Sequence, residues 1–107
     1  MRQIHSYQIH LSNSITLEHI IQIHQDVAEH ASDVYLYQGD QIADAKQLPN
    51  LLSFFMVKEA GDLLLIIDGV DVEEIYNKIV DCCNEYISHV QLRYKDEAVH
   101  EHASVVL

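Results

Sequence analysis

Proline appears once in this chain, at Pro49, and glycine only at Gly39, Gly61 and Gly69. So few chain breakers exclude collagen-like and linker-like architectures, and with 49% apolar and 21% charged residues the composition is that of a packed globular protein. The 107 residues suffice for one hydrophobic core and not for two ordinary domains. Cationic side chains are scarce: 6 Lys and Arg stand against 17 Asp and Glu, a formal charge of −11. That balance repels phosphate backbones and anionic lipid alike, so neither nucleic acid nor a membrane is the expected partner. No stretch approaches the roughly 18 apolar residues of a membrane span. Met1-Arg2-Gln3-Ile4-His5 lacks the apolar core of a signal peptide, so a cytoplasmic location is expected. The only cysteines, Cys82 and Cys83, are neighbours in a helical pattern and cannot cross-link distant parts of the chain; they read as reduced thiols.

What is present is a succession of short periodic segments. Ile4 to His10 alternates as a strand, with Ile4, Ser6, Gln8 and His10 on one face and His5, Tyr7 and Ile9 on the other. From Thr16 to Ala31 the residues Leu17, Ile20, Ile21, His24, Val27, Ala28 and Ala31 fall at helical spacing, and Ser14 or Thr16 can cap the first turn. Val34 to Tyr37, the turn residues Gln38-Gly39-Asp40 and Gln41 to Ala45 make a hairpin. After Pro49 the apolar stretch Leu51 to Val57 reads as a short buried helix, and Leu63 to Ile67 as a strand ending at Asp68-Gly69. Asp71, with Glu74 three residues on, is placed to cap a helix running to about Ile87 whose core stripe is Val72, Ile75, Ile79, Cys82, Cys83 and Tyr86. The order β-α-β-β-α-β-α predicts an α+β open-faced sandwich, a four-stranded antiparallel sheet with helices on one face. Residues 88–107 form a C-terminal extension to the domain of residues 1–87. It holds an alternating piece, His89 to Tyr94, that suits a fifth strand or pairing between copies of the chain, and a last apolar piece, Ser104 to Leu107.

In this order, and in Ser32-Asp33-Val34-Tyr35-Leu36, Ala45-Lys46, Gly61-Asp62, Asp68-Gly69-Val70-Asp71 and Glu73-Glu74, residues 4 to about 87 resemble HPr, the histidine phosphocarrier family of bacterial sugar phosphotransferase systems. The resemblance implies where chemistry should sit. The family carries G-[IL]-H-A-R-P-A at the start of its first helix, where the His takes a phosphoryl group and the Arg neutralises it. Here the stretch is Ser14-Ile15-Thr16-Leu17-Glu18-His19-Ile20, with Thr16 in place of the His, Glu18 of the Arg and His19 of the Pro. A serine at the start of the second helix is a further regulatory site in the Gram-positive type; the residue after Ala45-Lys46 is Gln47, followed by Leu48-Pro49. Both switches are therefore expected to be absent. The partner-facing surface implied by the family comprises Ser14, Thr16, Glu18, His19 and Ile20 with Gln47, Leu48, Leu51 and Leu52, some of the leucines belonging to the core.

Eight histidines invite a metal, but the spacing does not support one. His19 and His24 are about 140° apart around a helix, His5 and His10 lie on opposite strand faces, and His100-Glu101-His102 has no third ligand. Ser53 lies too far into its helix for the dipole to favour a phosphate, and Cys82-Cys83 lacks the spacing of a redox motif. The expected function is that of a non-enzymatic binding or regulatory protein with a protein partner, no cofactor and no metal. The alternative is a working phosphocarrier whose acceptor is the displaced His19.

Overall fold

The computed structural model describes residues 2–57 and 61–97. Glu59-Ala60, His100-Glu101-His102 and the apolar piece Ser104 to Leu107 lie outside the described residues. The elements are β1 (Gln3–Leu11), α1 (Leu17–Ala28), β2 (Asp33–Gln38), β3 (Gln41–Asp44), α2 (Leu48–Val57), β4 (Gly61–Gly69), α3 (Val72–Cys82) and β5 (Ile87–Glu97). All strand pairings are antiparallel, in the order β3-β2-β4-β1-β5.

Alternation along the strands sorts the two faces. His5, Tyr7, Ile9 and Leu11 of β1, Val34 and Leu36 of β2, and Leu63, Leu65 and Ile67 of β4 are buried together, with Leu36, Leu65 and Tyr7 in one row across the sheet. The helices bury this face: α1 contributes Ile20, Ile23 and Val27, α2 contributes Leu51, Phe54 and Phe55, and α3 contributes Val72, Ile75 and Ile79. The expected fold class matches this arrangement, and Ile20 and Val27 of the first helical stripe, Leu65 of the apolar run and Ile75 and Ile79 of the later stripe share its core. The hairpin joins β2 to β3 through Gly39-Asp40, Gly39 taking φ +61° as glycine does when it stands first in a II′ turn.

Four sequence readings are corrected. The sheet has five strands rather than four, because residues 87–97 pair with β1 of the same chain. The α1 stripe is centred on Ile20, Ile23 and Val27; Leu17 is 60% exposed and Ala28 is also exposed, because two overlapping helical stripes fit the sequence and the sheet surface selects one. The helix α3 stops at Cys82, where Cys83 to Tyr86 turn the chain into β5 and the Ser12 N–H, donating to the Tyr86 carbonyl at 2.7 Å, ties that turn to the end of β1. Finally, Thr16 and Asp71 occupy N-cap positions without making side-chain cap bonds, since both side chains have other partners.

Candidate functional site

The start of α1 and the end of α3 meet at one end of the molecule. Thr16 precedes the helix with extended backbone (φ −75°, ψ 159°), its carbonyl accepting from the N–H groups of His19 and Ile20 at 3.1 Å each. Its hydroxyl lies 2.6 Å from His19 Nδ1, and the Tyr86 hydroxyl lies 3.4 Å from the same nitrogen, so either O–H can donate to an unprotonated Nδ1. The Tyr86 ring meets the imidazole edge to face at 5.0 Å between centroids. The Cys82 thiol donates weakly to the His19 carbonyl at 3.7 Å. Beside the ring runs a groove of about 340 Å³ lined by Glu18, His19, Gln22 and Cys82. His19 is thus an oriented, half-buried imidazole at a helix start rather than a freely rotating surface group.

The predicted partner-facing residues divide into two sets. Ser14, Thr16, Glu18 and Gln47 are exposed, and His19 and Leu48 are half-buried. Ile20 (5% exposed) and Leu51 (0%) are core residues, a correction that follows from the side of each helix that faces the sheet. Two apolar side chains on the same helices are exposed instead, Leu17 and Met56, the latter at 82%. Leu17 reads as part of the helical stripe and Met56 as part of a wholly apolar run, so only the three-dimensional packing brings them out.

Burial raises both thiols, that of Cys83 to about 12, and neither is poised as a nucleophile. Burial likewise pushes the Tyr7 phenol up to about 12, aided by electrostatic repulsion of the phenolate by Tyr76 and Glu73; its hydroxyl lies 2.7 Å from His5 Nδ1 and its ring stacks on Tyr76 at 4.0 Å. The apolar cavity in the core, about 20 Å³ between residues that include Leu36, Leu65 and Ile79, is too small for a ligand.

At the opposite end of α1 lies a polar cluster. His30 and Ser32 both bond the carboxylate of Asp71, through His30 Nδ1–H and the Ser32 hydroxyl. The Lys78 ammonium donates to His30 Nε2 at 3.2 Å and approaches Glu29 at 3.6 Å. Burial would raise the Asp71 acid, but the bonds from Ser32 and His30 outweigh it and hold the carboxyl below its usual value. Ligand atoms of His30, Asp71 and Glu74 lie within 4.8 Å of one another. A metal-binding imidazole, however, needs an acceptor at its outer nitrogen, and here that nitrogen faces an ammonium. The cluster is a latch between the α1–β2 and β4–α3 connections. Gly69 belongs to it, since a Cβ there would lie 2.7 Å from the Ser32 Cα and closer still to the Ser32 side chain.

No protein-family model matches the chain, and no curated protein matches it. Solved structures do. The histidine-containing phosphocarrier protein of a mycoplasma superimposes with a TM-score of 0.68 over 78% of this chain and 99% of its own, at 10% identity. The phosphocarrier protein HPr of Bacillus anthracis does so with a TM-score of 0.63 over 74% of this chain and 95% of its own, at 14% identity. The chain has the HPr fold. Near-complete coverage of both HPr chains shows that the α+β sandwich expected from the element order is the whole of that fold, and β5 is a strand beyond the β-α-β-β-α-β-α order. Among the described residues, no helix of this HPr-like sandwich is long and apolar enough to cross a membrane.

Proposed function

We propose that this chain is a non-enzymatic binding or regulatory protein that has kept the HPr scaffold without the phosphocarrier centre, and that it acts in the cytoplasm by docking a partner protein on the starts of α1 and α2. The observation that carries this reading is the pair Thr16 and Glu18 at the exposed start of α1, a hydroxyl and a carboxylate where the family motif has an imidazole and a guanidinium. A helix start still favours an anion. Losing the guanidinium bond, however, forfeits about 1.5–3 kcal/mol, and a carboxylate about 5 Å from a phosphoryl dianion adds on the order of 1–2 kcal/mol of repulsion even in water. What the surface retains is suited to docking: the exposed Leu17 and the half-buried Leu48 offer apolar contacts, and Ser14, Glu18 and Gln47 are exposed polar groups at the same two helix starts. With Glu18 on this surface and a net charge of −11, a partner presenting basic groups is favoured over the acidic faces that dock mixed-charge HPr proteins.

A second reading is favoured by the oriented imidazole. With Nδ1 engaged by the Thr16 and Tyr86 hydroxyls, His19 presents its ring beside the 340 Å³ groove, and a phosphocarrier using His19 would work from there. Capture of a partner from the native cytoplasm tests the docking surface. The double variant Leu17→Asp, Glu18→Lys should lose a partner that the wild type retains, while Gln8→Ala on the far side of the sheet should keep it. Equal retention by the double variant would contradict the assignment of this surface.

A further inference from the structure

The sheet face turned away from the helices carries a second concave site. Register places Tyr37, Leu64, Gln8 and Gln91 in one row across four strands, all on that face. Over this row lies a groove of about 310 Å³ lined by Tyr37, Leu64, Gln8, Asp62 and Arg93 at the β2–β3 end. Its polar groups are already aligned. Asp62 accepts from His10 Nδ1 at 2.6 Å and from Gln8 Nε2 at 3.2 Å, and the Arg93 guanidinium donates to Gln8 Oε1 at 3.4 Å. Arg93 reaches this position because the register of β5 against β1 shifts there: Tyr94 stands opposite Ser6 and Leu92 opposite Tyr7, so Arg93 is the extra residue of a bulge. Bulges re-aim side chains in this way beside binding sites.

The lining selects a ligand class. A carboxylate can only accept and a guanidinium can only donate, so a ligand bound between Asp62 and Arg93 must do both. An anion would meet Asp62 and a cation would meet Arg93, whereas a neutral hydroxylated ring suits each. The Tyr37 ring and the Leu64 side chain supply the apolar platform that the C–H face of such a ring requires. The volume accommodates one six-membered ring with its hydroxyls. We infer that the open face of the sheet binds a neutral polyhydroxylated ring of single-pyranose size, stacked on Tyr37 and held by Gln8, Asp62 and Arg93. The site is independent of the docking surface, which lies on the helical side of the molecule.

The test is a titration of the isotope-labelled full chain, followed by amide NMR, with methyl α-glucoside, methyl α-mannoside and myo-inositol, and separately with acetate and methylammonium. At least one polyol should give saturable shifts confined to the amides around Gln8, Tyr37, Asp62, Leu64 and Arg93. Binding should weaken about tenfold or more in each of Asp62→Asn, Arg93→Gln and Tyr37→Leu, a loss of one good polar or stacking contact. Spectra of the free variants verify that the fold is intact. Absence of saturation with all three polyols, equal binding by the variants, or shifts with acetate or methylammonium alone would overturn the inference.

Discussion

The two ends of α1 are built on opposite principles. At its C-terminal end His30, Ser32, Asp71 and Lys78 form a part-buried, charge-assisted network closed over Gly69. At its N-terminal end Thr16, His19 and Tyr86 form a smaller chain of hydroxyls and one ring nitrogen, largely exposed and beside an open groove. Buried ionic networks are costly to break because each lost partner leaves a group unsatisfied, whereas exposed hydroxyl bonds exchange with water at little net cost. The scaffold is clamped at the C-terminal end of α1, and the groove end is free to change its side chains.

The largest expected effect belongs to the core that both ends share. Ile75, fully buried on α3, should cost about 2–5 kcal/mol when changed to Ala, measured by denaturant unfolding; a loss below about 0.5 kcal/mol would mean that α3 does not pack on the sheet as described. Next comes the clamp. Gly69→Ala forces the Ser32 segment to move and should cost about 1–3 kcal/mol, with the shift in unfolding midpoint as the readout. A neutral result would show that the two connections are not closely apposed.

Asp71→Ala, which leaves His30 and Ser32 without their acceptor, should cost about 1–3 kcal/mol. Its pH dependence has a definite sign. Because the folded carboxyl lies below its ordinary 3.8, the ionised form is favoured by folding; the contribution is complete above that value and is lost as the pH falls through the folded one. Asp71→Asn should therefore flatten the acid limb of the stability profile. Smallest of all, Thr16→Ala should change stability by no more than about 0.5 kcal/mol, since Thr16 makes no side-chain cap bond and its hydroxyl is exposed. If Thr16→Ala costs as much as Asp71→Ala, the contrast between the two ends fails.

The strands and helices were legible in the sequence because their apolar spacing is regular: the alternation in β1, the run Leu63 to Ile67 and the α3 stripe each report burial directly. Leu17 was not legible, because an apolar residue in a first turn satisfies a helical stripe whether or not a neighbour covers it. Asp71 looks like a simple cap, and only the approach of His30 and Ser32, 41 and 39 residues away in sequence, turns it into the centre of a latch. At the helix start, the identities of Thr16, Glu18 and His19 were plain, but the bonding of His19 to Tyr86 joins residues 67 apart and has no local signal. The Arg93 bulge was hidden for the same reason, since register is a property of two strands.

The proposal stands or falls on whether the start of α1 carries phosphate. Full-length chain incubated with phosphoenolpyruvate and enzyme I, and weighed intact by mass spectrometry, tests it most directly. No added phosphate is expected on the wild type, and detectable phosphate on Thr16→His, Glu18→Arg, His19→Pro combined, which supplies the nucleophile, cation and first-turn residue of the HPr motif on an unchanged scaffold. Phosphate on the wild type that disappears in His19→Ala would contradict the account and establish the displaced imidazole as the carrier.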